Sequence, residues 1–287
     1  MVKNMSTKKI GFVDLYISEW HANNYPGWMN GICEKLGYDY KIAYVWAEND
    51  ISPVDGRSTD EWCAAFGAEK CATVDELCEK SDMIVILAPS NPEVHLGYAE
   101  AVLKYGKPTY IDKTFAPDAA TSAKIFALSE KYGTPFFSTS ALRYADELDA
   151  VEAPTTVITT GSGGSAEEYI VHQTEMVVKK LGLGATAVRA TEVGGATCFH
   201  VRYADGRAAQ MTYSSGSLAF SAYMMGASGS KFRKIESDFF KSLMKDILVF
   251  FETGKISFDT AETQEVMKIR EAALKAKNTP DVWVEIN

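Results

Sequence analysis

The stretch MIVILAPSNPEVHLGYAEAVLKYGKPTYIDK, residues 83–113, decides the fold of this chain. Its first part, Met83 to Leu87, is a short apolar run that ends at turn-forming residues, which predicts a strand buried on both faces. From Glu93 to Tyr105 apolar residues recur at helical spacing, and Gly106 stands where a left-handed helix cap belongs. A second strand, Thr109 to Ile111, follows. The stretch therefore predicts two parallel strands joined by a crossover helix.

An ionisable side chain comes directly after this unit. Lys113 lies two positions beyond the last strand residue, Ile111. In open parallel sheets, ligands bind beyond the carboxyl ends of the strands. Lys113 is therefore a candidate functional residue.

The rest of the N-terminal half repeats the alternation of strand and helix. Further strands are predicted at Ile10 to Asp14, Lys41 to Trp46 and Pro135 to Ser138, and Pro26 predicts a helix start close to it. Alternating strands and helices are typical of a parallel sheet. We therefore predict a Rossmann-like, doubly wound α/β domain over residues 1–146.

The pattern changes after residue 146, where alternating segments are separated by Gly-rich turns. Strands are predicted at Thr156 to Thr160, Ala187 to Val193, Thr197 to Tyr203 and Ala208 to Ser214. Helices are predicted at Ala166 to Leu181, Lys234 to Thr253 and Thr263 to Lys277. These elements predict an α+β domain over residues 147–287 with an open, mostly antiparallel sheet, assigned to substrate binding and oligomerisation.

Composition excludes several classes of partner. A net charge of -9 opposes binding to nucleic acid and to anionic membrane surfaces. No apolar run approaches the length of a membrane span, and the first residues lack the features of a signal peptide, which predicts a cytoplasmic protein. The five cysteines form no Cys-x-x-Cys pair and the four histidines no His-x-x-x-His pair, so no metal site is predicted.

The deciding stretch resembles the glucose-fructose oxidoreductase, inositol dehydrogenase and MocA family. The matching features are Ala88 and Pro89, His95, Ala101 with Leu103, Gly106 with Lys107, and then Asp112, Lys113 and Thr114, where the family has Glu-Lys-Pro. The likeness continues through residues 129–144, with Arg143 at the family's Arg position. Coverage of the whole chain is implied, with a divergent glycine-rich loop.

The resemblance implies catalytic roles for three residues. Lys113 would stabilise the negative charge on the substrate oxygen, and His172 would take the hydroxyl proton. Glu168 would orient the His172 imidazole or accept a substrate hydroxyl. Without the resemblance, the helix face that carries Glu168, His172 and Glu175 is interpreted as a solvent-facing surface. Glu175 is assigned to substrate binding, and Arg143 either binds an anionic substrate or bridges the domains.

The resemblance also implies NAD or NADP as cofactor, but the loop that would hold it is altered. The family's first two loop glycines fall at Asp14 and Tyr16, which opposes conventional contact with a pyrophosphate. Glu48 or Asp50 is the candidate acceptor for the ribose hydroxyls, or part of a solvated turn. Other residues assigned to cofactor binding are Pro89, His95 and Lys113, and His95 alternatively caps its helix or satisfies a buried carbonyl.

The leading hypothesis is a homo-oligomeric oxidoreductase, dimer or tetramer, that transfers a hydride between NAD(P) and a sugar, cyclitol or related small polyol. A second hypothesis is a catalytically silent ligand-binding homologue that has lost conventional NAD(P) binding; Asp14 and Tyr16 favour it. A third is a lyase or isomerase that uses Lys113 and His172 without an exchangeable cofactor. Titration with NAD and NADP distinguishes the first two.

Overall fold

The computed structural model describes residues 7–286, and its packing separates the chain into two compact units. The first comprises the described residues through Ser138 together with Leu243–Ser257. The second comprises Thr139–Ser242 and the described residues from Phe258 onward. The boundary between folding domains at residue 146 stays a prediction.

The first unit contains a parallel sheet of six strands. Its strands are β1 (Lys8–Asp14), β2 (Tyr40–Ala47), β3 (Glu69–Lys70), β4 (Met83–Ile86), β5 (Thr109–Ile111) and β6 (Phe136–Phe137). Their order is β3-β2-β1-β4-β5-β6, so the chain moves outward in both directions from β1. This is the doubly wound arrangement that the sequence predicts.

Helices join the strands of this sheet. They are α1 (Trp20–Leu36), α2 (Thr59–Phe66), α3 (Val74–Lys80), α4 (His95–Val102) and α5 (Ala119–Tyr132). The crossover from β4 to β5 consists of α4 flanked by two short 3-10 turns, and Gly106 ends it with φ 68°. The left-handed cap predicted at Gly106 is confirmed.

The second unit contains a mixed sheet of seven strands. They are β7 (Thr156–Ser162), β8 (Ala185–Val193), β9 (Ala196–Tyr203), β10 (Ala208–Ser214), β11 (Ser221–Gly226), β12 (Gly229–Lys234) and β13 (Trp283–Glu285). The order is β12-β11-β7-β10-β9-β8-β13, and every neighbouring pair is antiparallel except β7 with β10. The predicted fold class, a Rossmann-like domain plus a mostly antiparallel α+β domain, is confirmed.

Three helices follow the first unit's sheet in the chain. They are α6 (Ala166–Leu181), α7 (Phe239–Thr253) and α8 (Ala261–Lys277). Helices α6 and α8 belong to the second unit and pack on one face of its sheet. The later part of α7 belongs to the first unit, where Glu252 binds Lys8 at 2.7 Å and Phe250 meets Phe137 edge-on.

Two predicted helix starts are wrong. Helix α1 begins at Trp20, so Pro26 lies inside it. The helix predicted from Lys234 begins at Phe239 as α7, and Lys234 is instead the last residue of strand β12. All residues of β12 are exposed, so this strand carries no alternation of buried and exposed positions that a sequence would reveal.

Candidate functional site

The turn after β1 carries a buried carboxyl group. Asp14 is 1% exposed, and its Oδ1 accepts hydrogen bonds from the backbone N–H groups of Leu15 at 2.7 Å and Ala88 at 3.0 Å. Burial and the neighbouring Glu19 carboxylate raise the pKa of Asp14 well above its ordinary value. Tyr16 follows in the same turn and is half-buried. Both positions thus place a side chain where a dinucleotide-binding turn has glycine.

The N-terminus of α1 is capped by a carboxylate of the chain itself. The Glu19 side chain accepts hydrogen bonds from the backbone N–H of His21 at 2.7 Å and from that of Ala22. Glu19 is buried, and its burial raises the pKa of the carboxyl group although the nearby His21 opposes the shift. In dinucleotide-binding folds the N–H groups at this helix end face a pyrophosphate, whereas here two of them bind the Glu19 side chain.

The loop after β2 holds the β1–α1 turn in place. The backbone N–H of Glu48 donates to the Asp14 carbonyl at 3.0 Å, and that of Asn49 donates to the Leu15 carbonyl at 2.8 Å. Ser52 Oγ donates to the carbonyl of Ser18 at 2.6 Å. These contacts fix the turn from the side on which the adenosine half of a dinucleotide binds in this fold.

The candidate ribose acceptors are engaged within the chain. Glu48 accepts a hydrogen bond from Tyr98 Oη at 2.6 Å, and burial together with this bond raises the pKa of Tyr98. Asp50 forms an ion pair with Lys70 at 2.8 Å.

Pro89 and His95, which are assigned to cofactor binding from the sequence, make contacts with the backbone. The Pro89 carbonyl accepts a hydrogen bond from the Thr114 N–H at 3.2 Å. His95 lies 3.0 Å through Nδ1 from the Phe115 carbonyl and 2.6 Å through Nε2 from the Leu87 carbonyl, and burial lowers its pKa. Since a neutral imidazole carries one N–H, His95 can donate to one of these two carbonyls, as expected of a histidine that satisfies a buried carbonyl.

Asp112 and Lys113, at the end of β5, lie in a buried polar cluster. The Asp112 carboxylate binds His21 Nδ1 and accepts a hydrogen bond from Tyr25 Oη at 3.2 Å. It also accepts one from the Lys113 N–H at 2.8 Å. Burial opposes ionisation of Asp112, but the charge and hydrogen bond of His21, together with the charge and backbone N–H of Lys113, lower its pKa below the ordinary value. Lys113 is 8% exposed, with Nζ 3.4 Å from the Pro89 carbonyl.

His172, in the second unit, lies on α6 beside a serine. Its Nδ1 is 2.7 Å from Ser140 Oγ, and its ring meets those of Tyr169 and Phe220 edge-on. Glu168 lies one turn earlier on the same helix, and its backbone N–H donates a hydrogen bond at 3.2 Å to Oγ of Ser165, the N-cap residue. The i,i+4 spacing puts Glu168 and His172 on one side of α6.

Arg143 is neutralised by two carboxylates. Its Nε donates to Glu175 at 2.6 Å and its Nη2 donates to Glu262 at 2.5 Å, and the guanidinium also lies over the Phe258 ring. Glu175 is buried and further accepts hydrogen bonds from Thr139 Oγ1 at 2.8 Å and the Ser140 N–H at 3.3 Å. This ion-pair cluster therefore fixes the segment that carries Ser140, the neighbour of His172.

Three residues of the first unit's site were not singled out from the sequence, and a fourth, Asp112, was noted only as part of the family resemblance. Glu19, His21 and Tyr25 all lie at the start of α1, and Asp112 is their partner at the end of β5. The i,i+4 spacing of His21 and Tyr25 placed them on one face of any helix that begins after Glu19. Placing the helix start near Pro26 hid this signal.

Comparison with known proteins shows the fold. No protein-family model matches the sequence, and no curated protein sequence matches it. Myo-inositol dehydrogenase from Lactobacillus casei, solved with NAD(H) and myo-inositol, is similar in structure with a TM-score of 0.80 at 10% identity, over 98% of this chain and 97% of that one. A probable dehydrogenase from Thermotoga maritima gives a TM-score of 0.78 at 13% identity, over 97% of this chain and 98% of the other.

GenD2 from gentamicin A biosynthesis, solved with NAD, is a third similar structure. Its TM-score is 0.77 at 14% identity, over 98% of this chain and 97% of that one. The chain thus has the fold of two-domain NAD-binding dehydrogenases along almost its full length, and inositol dehydrogenases are among the proteins that share it.

Two of these similar structures were solved with NAD or NAD(H), and the two parts of the first unit's site differ in how well they fit such a dinucleotide. Lys113 and its buried surroundings supply a cation at the end of β5. At the start of α1, the backbone N–H groups of His21 and Ala22 already bind the Glu19 carboxylate, and Asp14 Oδ2 is buried without a hydrogen-bond partner in the described residues. The residues therefore fit a pyrophosphate only with the Glu19 carboxylate displaced.

Among residues 7–286, no helix has both the length and the apolar character needed to cross a membrane. The same residues contain no group of three or more His, Cys, Asp or Glu side chains placed to hold a metal ion.

Proposed function

We propose that this chain is an oxidoreductase that acts on a hydroxyl-bearing carbon of a sugar, cyclitol or related small polyol, with NAD or NADP as its redox partner. The observation that carries the proposal is Lys113, a buried ammonium directly beyond β5 of a doubly wound sheet. The similarity of fold to NAD-binding dehydrogenases supports it. The proposal includes a homo-oligomer that works in the cytoplasm.

In this proposal, each candidate residue has a defined task. Lys113 stabilises negative charge on the substrate oxygen, and its desolvated position strengthens that interaction. His172 takes the hydroxyl proton, and the acceptor for the hydride that leaves the carbon would be supplied by a bound dinucleotide. Glu168 orients the imidazole or accepts a substrate hydroxyl.

Arg143 and Glu175 are proposed to act on the substrate indirectly, by positioning His172. Their charges compensate each other, and Glu175 holds the Ser140 N–H at 3.3 Å while Ser140 Oγ contacts His172 Nδ1 at 2.7 Å. The Arg143–Glu175 pair thereby sets the orientation of the proposed proton acceptor.

The test is turnover of a panel of sugars and cyclitols with NAD and NADP, followed by Lys113→Ala and Lys113→Met. Both variants lack the ammonium, and we expect each to lower kcat by about 100-fold or more, as loss of an oxyanion-stabilising group does. Lys124→Ala, an exposed lysine on α5, is the control and is expected to keep full activity. Unchanged turnover in Lys113→Ala would rule out its role.

A second candidate function is a ligand-binding homologue without catalysis, and the Glu19 cap at α1 favours it. Calorimetric titration with NAD and NADP separates the two functions. The oxidoreductase binds one of the dinucleotides measurably, whereas the silent homologue binds neither and gains affinity when Asp14 and Tyr16 are replaced by Gly.

A further inference from the structure

The start of α1 carries one acidic side chain, Glu19, in place of an external anion, and a second carboxyl group, that of Asp14 at the end of β1, interacts electrostatically with it. Glu19 binds the N–H groups of His21 and Ala22, and these groups are the donors that the helix N-terminus would offer to a phosphate. Asp14 is equally buried, and one of its carboxyl oxygens, Oδ2, lacks a hydrogen-bond partner among residues 7–286. The Glu19 carboxylate thus occupies the donors of the helix N-terminus, and the buried Asp14 carboxyl group adds a second acidic group that interacts with it.

We propose that Glu19 is an internal competitor of the dinucleotide, so that NAD binds at α1 only when the Glu19 carboxylate leaves the helix N-terminus. The inference rests on the proposed function and adds its regulation. A capping carboxylate and a pyrophosphate require the same N–H donors, so the two cannot be bound to them together.

Protonation decides the strength of this competition. The charged and titratable groups that act on Glu19 are Asp14 from β1, His21 and Tyr25 from α1, and Asp112 from the end of β5. Burial raises the pKa of Glu19 and of Asp14, so both carboxyl groups take up protons above the pH at which exposed carboxyl groups do.

A neutral carboxyl group is a weaker hydrogen-bond acceptor and does not repel a pyrophosphate. NAD affinity therefore increases as the pH falls through the raised pKa values, by at most about tenfold per pH unit for each proton taken up. The loop around Glu19 is held in place by other contacts. Ser18 Oγ donates to Asp55, and the Glu48 and Asn49 N–H groups bind the turn after β1.

The experiment measures NAD binding to the full chain by calorimetry from pH 5.5 to pH 8, in wild type, Glu19→Gln and Glu19→Ser. NAD is the probe because its charge is constant in this range, whereas the 2′-phosphate of NADP titrates at a pKa of about 6. Glu19→Gln keeps the side chain's length and an acceptor oxygen, and Glu19→Ser keeps a favourable helix cap. Thermal unfolding confirms that each variant is folded.

The matched control is Asp118→Ser. Asp118 is the N-cap of α5 in the same unit and accepts a hydrogen bond from the Thr121 N–H at 2.6 Å. Asp118→Ser thus removes a capping carboxylate from a different helix.

We expect wild-type affinity to be weak at pH 8 and to increase on acidification. Glu19→Ser is expected to bind NAD about tenfold more tightly or better at pH 8, because a charge-assisted interaction no longer has to be broken, and to show a smaller pH dependence. The NAD affinity of Glu19→Gln is expected to lie between those of wild type and Glu19→Ser, and that of Asp118→Ser is expected to match wild type. Equal affinity of wild type and Glu19→Ser at pH 8, or no binding by either variant at any pH, overturns the inference.

Turnover is measured separately, so that the two proposals fail differently. The expected binding pattern without turnover of any polyol would overturn the oxidoreductase and leave the competition by Glu19 standing. Turnover with NAD that does not respond to Glu19→Ser would support the oxidoreductase and overturn the competition by Glu19.

Discussion

At the scale of single residues, Arg143 shows how a sequence motif and its structural environment differ. The sequence offers an isolated cation at a strand exit, which suits an anionic substrate. The structure surrounds it with Glu175 and Glu262 at 2.6 and 2.5 Å. Burial alone would lower the pKa of Arg143, but the two carboxylates raise it above its ordinary value. Its partners come from distant positions in the chain, and no local pattern indicates them.

Removing this guanidinium is expected to destabilise the second unit strongly. Arg143→Leu leaves the Glu175 carboxylate, with 3% of its side chain exposed, without its cation. The expected cost is about 3–5 kcal/mol of unfolding free energy, since breaking one half of a buried pair strands a charge. Chemical denaturation measures it. Lys179→Leu is the control on α6, because its partner Asp149 is exposed and such a pair contributes about 1 kcal/mol or less. Similar losses in both variants would contradict the buried-pair assignment.

The raised pKa of Asp14 predicts a pH dependence of stability. A carboxyl group whose pKa is higher in the folded state binds its proton more tightly there, so folding loses free energy as pH rises from the unfolded value through the folded one. Asp14→Asn has no proton to lose.

We therefore expect the stability of Asp14→Asn relative to wild type to increase from pH 5 to pH 8, by up to about 1.4 kcal/mol per pH unit where the group titrates. Denaturation curves of both proteins across this range measure the difference. A difference that stays constant with pH would show that Asp14 titrates at an ordinary pKa.

At the scale of elements, the sequence predicts most of the fold because local patterns specify it. Strand β5, helix α6 and strand β10 have the predicted bounds, and their apolar residues follow the period of the element. The missed strand β12 and the wrong start of α7 have a cause of their own, which differs from that of the wrong start of α1. Strands β11 and β12 form a short antiparallel pair at the edge of the sheet, and the exposed β12 has no buried face to leave a pattern.

The candidate site is predicted less completely than the fold. Lys113 is proposed from the sequence because it follows a clear strand, and His172 because the family resemblance assigns it a role; both stay predictions. Glu19 and His21 are not found, since their importance depends on where α1 begins and on what faces them from β5. Such pairings are properties of the assembled sheet and not of a sequence window.

The packing of α3 on β1 leads to a prediction about glycine. A Cβ on Gly11, in β1, would overlap Ser81 Oγ and Leu77 Cδ2 in the buried layer. We expect Gly11→Ala to lose about 1–3 kcal/mol of stability, as overpacked cores do. Gly31→Ala, in α1, meets nothing within 4 Å and is expected to gain about 0.5–1 kcal/mol from helix propensity. Thermal and chemical denaturation measure both variants, and a Gly11→Ala protein as stable as wild type would contradict the close approach.

At the scale of the whole molecule, one face of the second unit's sheet is left partly exposed. The strand register aligns a row of side chains, all half-buried or exposed, across six of its strands: Phe232, Tyr223, Ile158, Gln210, His200 and Arg189. The neighbouring row on the opposite face, which includes Met224, Val157 and Val201, is buried. A sheet covered on one side offers its other face for pairing.

We therefore expect this chain to form a dimer or tetramer through the exposed face. Phe232 is 60% exposed on β12, and Phe232→Glu would place a charge in an apolar part of the contact, which shifts the assembly toward monomer. Val54→Glu, at a 68% exposed residue of the first unit, is the control and is expected to keep the oligomer. Light scattering coupled to size exclusion measures the mass of each protein. A wild-type monomer at working concentration would contradict the oligomer, and an unchanged mass for Phe232→Glu would exclude this face as the contact.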